Sequence, residues 1–266
     1  MLKTQQVFEG TVYSLTGPTE APVVVFIHGL GLCCDFFADM LPAFIPYRVL
    51  TYDLYGHGAS KPSRSEASLT VYADQLAGLL DHLEIGQAHI VGFSIGGMIN
   101  RRFALDYPNH TASLVILNSP HDRGLQAQAL VEDRAKSVCD QGAFSTFDAA
   151  LERWFTPDYL ATGFGVKNVR IWREMVDVDS YAQAAWVLAN GVIELTGRDG
   201  EINVPTLVIT CENDKGSTPE MSYGIASEIT DAETIIIPRL KHLGLIECSS
   251  EYTKPLLDFL GRQQGK

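Results

Sequence analysis

Ile90-Val91-Gly92-Phe93-Ser94-Ile95-Gly96-Gly97-Met98 is the stretch on which the fold turns. An apolar run ends at Phe93, a serine follows at once, and glycines stand two residues to either side of it. This G-x-S-x-G pattern marks a tight strand-to-helix turn that thrusts the serine hydroxyl out beyond a sheet. Small residues are required there because the turn leaves no room for Cβ atoms beside the serine. A glycine-rich turn with a helix-capping serine is the plainer alternative. Context favours the first reading, since an apolar strand precedes Ser94 and a helical stretch over residues 98–105 follows it.

Further runs of the same kind lie on both sides of this turn. Residues 23–27 (VVVFI), 49–52, 90–93, 114–117, 207–210 and 234–237 are short, apolar and bounded by Gly, Pro, Asn or Asp. Continuous runs of that length suit strands covered on both faces, as in a parallel sheet. Between them Leu76, Leu79, Leu80 and Leu83 fall on one helical face, and a last helix is expected over residues 249–259. Residues 5–16 read as a hairpin at the sheet edge. Alternating strands and helices imply right-handed crossovers and a doubly wound α/β sheet. From about residue 121 to 198 strand-like runs vanish and helical spacing takes over, with Phe147, Leu151 and Trp154 as one stripe. The expected division is therefore a core of residues 1–120 and 199–266, with a helical cap over 121–198.

Bulk properties narrow the function. The 266 residues, 46% hydrophobic and 20% charged, suffice for one large domain or a core plus an insertion. Twenty Lys and Arg against 32 Asp and Glu leave a net charge of −12. That balance argues against a nucleic-acid partner, which needs a basic stripe, and against adhesion to anionic membranes. Five cysteines, an odd number without metal-ligand spacing, suit a reducing compartment, and the vicinal Cys33-Cys34 reads as incidental. The polar start, Met1-Leu2-Lys3-Thr4, lacks the apolar stretch of a secretory leader, and no apolar run nears the roughly 20 residues of a membrane span. A cytoplasmic protein is expected.

A serine hydroxyl needs a base to become nucleophilic at neutral pH. His242 lies after the last strand, in a loop expected to overhang the strand ends. His28 and His57 also sit near strand ends, in glycine-rich loops, and read as histidines bonded to backbone. Asp214, after the strand over 207–210, is the candidate to orient the base. Asp122, at the opening of the insertion, competes for that role. The amides of Ile95 and Leu30 are the candidate oxyanion donors, and Gly29 lets the backbone pass close to substrate. Phe36 and Trp154 are candidates to line the substrate pocket, along with Phe155 and Trp172, although an aromatic stripe also serves packing. Arg101, Arg102 and Arg153 have the chemistry to bind a substrate carboxylate, but solvated helix faces are the plainer reading.

The order Ser94, Asp214, His242 resembles that of the α/β-hydrolase superfamily along essentially the whole chain. So do His28-Gly29 and the loop Asp53-Leu54-Tyr55-Gly56-His57-Gly58-Ala59-Ser60-Lys61-Pro62, which is similar to the family pattern D-x-x-G-x-G-x-S-x-x-P. The resemblance implies a mostly parallel eight-stranded sheet, a helical cap, Ser94, Asp214 and His242 as a triad, and no metal or organic cofactor. Ser94 at the elbow excludes the aspartate-nucleophile branches. Leu151-Glu152-Arg153-Trp154-Phe155-Thr156-Pro157 resembles the 3-oxoadipate enol-lactonase-like and carboxylesterase group, from which His28-Gly29 departs. The expected activity is cleavage of a small carboxylic ester or lactone through an acyl-enzyme, with a homodimer left open. Carbon–carbon-bond hydrolysis, cofactor-free oxygenation and ligand reception without catalysis remain the alternatives on this fold.

Overall fold

Eight strands form one sheet: β1 (Gln6–Phe8), β2 (Thr11–Thr16), β3 (Val23–Ile27), β4 (Arg48–Tyr52), β5 (Ala88–Phe93), β6 (Thr111–Leu117), β7 (Thr206–Cys211) and β8 (Ala232–Ile237). Their order in space is β1-β2-β4-β3-β5-β6-β7-β8. Only β2 runs against its neighbours, so the sheet is parallel from β4 through β8. The computed structural model describes residues 5–263, and the polar opening residues 1–4 lie outside it.

Each expected run is a strand, and the hairpin over residues 5–16 is β1 and β2. Several strands begin earlier than their apolar runs. β5 starts at Ala88 because His89, polar and buried, satisfies its Nδ1 against Ser113 Oγ on β6 at 2.8 Å. Alternation along the strands builds two apolar layers. Val25, Ile27, Ile90, Leu114 and Ile116 face one way, toward α1 (Leu69–His82) and α2 (Ile95–Asp106). Val24, Phe26, Val91, Val115 and Leu207 face the other way. Between β6 and β7 the chain forms α3 (Gly124–Gln141), α4 (Phe147–Trp154), α5 (Pro157–Thr162), α6 (Phe164–Glu174) and α7 (Val178–Asn190). After β7 come α8 (Pro219–Ser227), α9 (Gly244–Glu247) and α10 (Ser249–Gln263), whose Tyr252, Leu256 and Leu260 pack on the second layer. Among the described residues no helix is long and apolar enough to cross a membrane, and no disulfide forms.

The turn from β5 to α2 places Ser94 at the carboxyl ends of the strands, where open α/β sheets hold ligands. Ser94 adopts φ 56 and ψ −115, a left-handed conformation unusual for a residue with a side chain. Close packing holds it there. A Cβ on Gly96 would collide with the carbonyl oxygen of Ile27, and one on Gly92 with the backbone of Gly96 itself. Gly96→Ala should therefore lower stability by about 1–3 kcal/mol, the usual cost of overpacking. Urea unfolding should show a lower midpoint with an unchanged slope, and an unchanged midpoint would mean the backbone can yield there.

Candidate active site

Three loops at the strand ends bring the expected residues together. Asp214 is buried after β7, and its carboxylate accepts four hydrogen bonds. Oδ1 takes the amides of Gly216 at 2.9 Å and Ser217 at 3.0 Å. Oδ2 takes Asn118 Nδ2 at 2.9 Å and His242 Nδ1 at 2.7 Å. A carboxylate so engaged only accepts, so the shared proton sits on His242 Nδ1 and Nε2 keeps its lone pair. Ser94 and His242 line one cavity of about 150 Å³ and also a smaller recess of about 80 Å³. Asp122 stands apart from this cluster. It is exposed, and its Oδ1 accepts the amide of Gly124 at 2.9 Å, where α3 begins.

The candidate oxyanion donors flank the serine. The Ile95 amide opens α2, where the first N–H groups of a helix have no partner within it. The Leu30 amide makes no hydrogen bond among the described residues. Leu30 lines both recesses and Gly29 lines the smaller.

His28 and His57 brace these loops. His28 donates from Nδ1 to the Gly29 carbonyl at 2.8 Å and accepts the Leu54 amide on Nε2 at 3.0 Å. His57 donates from Nδ1 to the Tyr55 carbonyl at 3.1 Å. Burial holds both rings neutral, pushing His28 down to about 4 and His57, which also feels His28, to about 3. Asp53 likewise serves structure. It accepts the Cys34 amide on Oδ1 at 2.8 Å and the Ala59 amide on Oδ2 at 2.9 Å.

Trp154 lines both recesses, whereas Phe36 lines neither. Phe36 is buried behind the wall, its ring 4.5 Å from that of Phe93 and 6.4 Å from that of Trp172. Arg101, expected on a solvated face, is buried. Its guanidinium donates to the carbonyls of Gly97 at 3.0 Å and Pro120 at 2.7 Å, tying α2 to the loop after β6. Sequence reasoning passed over Asn118, Tyr252 and Arg173. Tyr252 donates its hydroxyl proton to Asn118 Oδ1 at 2.9 Å, so the Cys211 thiol, 2.8 Å away, donates to Tyr252. That chain leaves Asn118 Nδ2 directed at Asp214. Asn118 lies 96 residues from Asp214 in sequence, and no local pattern signals the contact.

A family model for the alpha/beta hydrolase fold matches residues 22–248. The (E)-2-((N-methylformamido)methylene)succinate hydrolase of Acinetobacter baylyi is 26% identical over 225 residues, 84% of each chain. The 3-oxoadipate enol-lactonase 2 of the same organism is 26% identical over 238 residues, 88% of this chain and 87% of that one. Two crystal structures superpose closely. A hydrolase from Pseudomonas aeruginosa PA01 gives a TM-score of 0.87 at 26% identity over 98% of both chains. The enol-lactonase of Burkholderia xenovorans LB400 gives 0.84 at 27% identity, covering 97% of this chain and all of that one.

The neutral histidines carry a pH dependence whose sign follows from linkage. Unfolded, both rings protonate near 6.5; folded, only near 4 and 3. Between those values the unfolded chain binds protons that the native one does not. Their contribution is therefore full above 6.5 and is lost as pH falls from 6.5 toward 4 and below, on the order of 3 kcal/mol for His28 and about 5 kcal/mol for His57. Urea unfolding at pH 7.5 and 4.5 should show this fall, and His57→Gln should reduce it. An equal fall in the variant would contradict the buried neutral state of His57.

Proposed function

The chain belongs to the α/β-hydrolase fold family, and from that premise we propose that it is a serine hydrolase of a small carboxylic ester or lactone. The observation that carries the reading is the 2.7 Å bond from His242 Nδ1 to the buried Asp214 Oδ2, with His242 lining a cavity that Ser94 shares. With its Nδ1 proton held by Asp214, His242 takes the Ser94 proton on Nε2 as Oγ attacks the substrate carbonyl. The Leu30 and Ile95 amides stabilise the tetrahedral oxyanion. The intermediate collapses with loss of the alcohol, which receives the proton from His242, and leaves an ester on Ser94. Water then attacks that ester, giving its proton to Nε2, and the carboxylic acid departs as the proton returns to Oγ. For a lactone the alcohol stays tethered, and the product is one hydroxy acid.

Two relatives are named for a formamidomethylene succinate and a 3-oxoadipate enol-lactone, which supports acyl transfer to water on small substrates. Cavity size argues the same way, since about 150 Å³ is the volume that admits a benzene-sized guest.

Ser94→Ala should fold normally and lose several orders of magnitude in turnover, because members of such a triad act as a unit. A fluorophosphonate probe should label the wild type at Ser94 and not label the variant; labelling elsewhere would move the nucleophile. Asp214→Asn should lose on the order of 10⁴ in kcat through the wrong imidazole tautomer, while Asp122→Asn stays close to wild type. Among para-nitrophenyl esters the butyrate should turn over faster than the dodecanoate, and the reverse order would refute a small acyl pocket.

A further inference from the structure

Four arginines, Arg123, Arg134, Arg153 and Arg173, line the cavity beside Ser94, and no aspartate or glutamate does. The chain as a whole carries a net charge of −12, so bulk composition does not explain the gathering. Nor does ion pairing, since none of the four makes an ion pair among the described residues. Arg123 is committed to the protein. It donates to the carbonyls of Leu188 at 2.9 Å and Ala189 at 3.1 Å, clasping α3 to α7. Arg134 and Arg153 each spend one donor on a carbonyl in their own helix, Leu130 at 3.0 Å and Ala149 at 2.8 Å. Arg134 also acts as a like charge on both Arg123 and Arg153, more strongly than the opposite charges of Asp122 on the one and Glu152 on the other.

Arg173 is the most deeply buried of the four. It is 2% exposed, yet it lines both the cavity and the smaller recess that Ser94 and His242 share. One donor reaches the Ala143 carbonyl at 2.8 Å, whereas the Nε hydrogen has no acceptor. Its guanidinium carbon lies 4.3 Å from the ring centroid of Tyr181 and 5.7 Å from that of Trp154. Those rings offer their faces, and Tyr181 its hydroxyl as a hydrogen-bond partner, but neither carries a formal charge. Burial raises the Tyr181 hydroxyl, which therefore stays a neutral phenol at ordinary pH. Gly31 is part of the arrangement, since any Cβ there would strike the Arg173 guanidinium. A buried cation without a counter-charge is costly, and arginine cannot relieve the cost by losing its proton. Its planar fork matches a carboxylate in two parallel hydrogen bonds.

We propose that Arg173 binds a carboxylate that the substrate carries in addition to the bond being cleaved, with Arg134 and Arg153 adding positive potential. The substrate class is then the half-ester or lactone of a short dicarboxylic acid. This rests on the hydrolase reading and deepens it. The carboxylate supplies the missing counter-charge and orients the substrate carbonyl toward Ser94.

The test uses two esters differing in one charge, mono-para-nitrophenyl glutarate and its neutral methyl ester, with nitrophenolate release followed for both. Wild-type kcat/KM should favour the anionic ester by about a hundredfold, as expected for a buried charge pair. In Arg173→Gln the ratio should fall toward one, chiefly through KM, and Arg153→Gln should lower it less. A second readout needs no turnover: glutarate should raise the melting temperature of Ser94→Ala, and glutaramide should not. If neither ester is cleaved, the hydrolase reading fails while the glutarate measurement still decides the anion site. Equal kcat/KM for both esters in the wild type, a ratio unchanged in Arg173→Gln, or equal response to glutarate and glutaramide would each overturn the proposal. Should Arg173→Gln fail to fold, the wild-type ratio and the glutarate measurement decide alone.

Discussion

The strained backbone at Ser94 is the constraint from which the rest of the site follows. A residue with a side chain is held at φ 56 only because its surroundings allow nothing else. The Ser94 amide is fixed by the Leu117 carbonyl at 2.8 Å, and its own carbonyl by the Gly97 amide at 3.0 Å. β5 must then lie between β3 and β6, close enough for the Ile27 carbonyl to crowd Gly96. Arg101 completes the brace from the next turn of α2 by gripping the Pro120 carbonyl. Strain at the serine is thus met by contacts from three consecutive neighbours in the sheet. The central strands, covered on both faces, are the part of the molecule best able to hold it.

A second constraint is electrostatic. Burying the Asp214 carboxylate is tolerable only with its acceptors filled, and four donors fill them. Two come from backbone amides in its own loop, which the sequence neighbourhood supplies. The third, from Asn118, depends on Tyr252 in α10 and Cys211 at the end of β7. Asn118 could present either its oxygen or its nitrogen to Asp214. The Tyr252 proton occupies the oxygen, so the nitrogen faces the carboxylate. The fourth donor is His242, whose tautomer is thereby decided by residues far from it in sequence.

What was legible in the sequence divides along the same physical line. Local rules were enough for the elbow, because glycines on either side of a serine after a β-rich run leave few alternatives. They were enough for the core strands as well, because runs such as residues 23–27 must be buried on both faces. Polar side chains inside the fold were not legible. The apolar run over residues 90–93 left His89 outside the strand that contains it, and Arg101 read as solvated and is buried. Whether a polar group can be buried depends on partners from other segments, and those partners are set by the tertiary fold. Phe36 fails in the complementary way. An apolar residue next to the oxyanion loop can face substrate or face the core, and only packing against Phe93 decides.

The helices between β6 and β7 do more than roof the cavity. The Leu243 amide donates to the Trp154 carbonyl at 2.9 Å, and Lys241 Nζ to the Glu152 carbonyl at 2.7 Å, so α4 grips both residues next to His242. The Asp177 amide donates to the Gly56 carbonyl at 2.8 Å, and Arg173 lies against Gly31. The His242 loop and the loops around Gly31 and Gly56 are therefore held from above as well as by their strands. Lifting these helices as a rigid body would break those bonds together and loosen the His242 loop. The same contacts that set cavity volume also hold catalytic geometry. Substitutions in α4 or α6 that enlarge the pocket are thus coupled to the position of the base, and selectivity cannot be altered there independently of turnover.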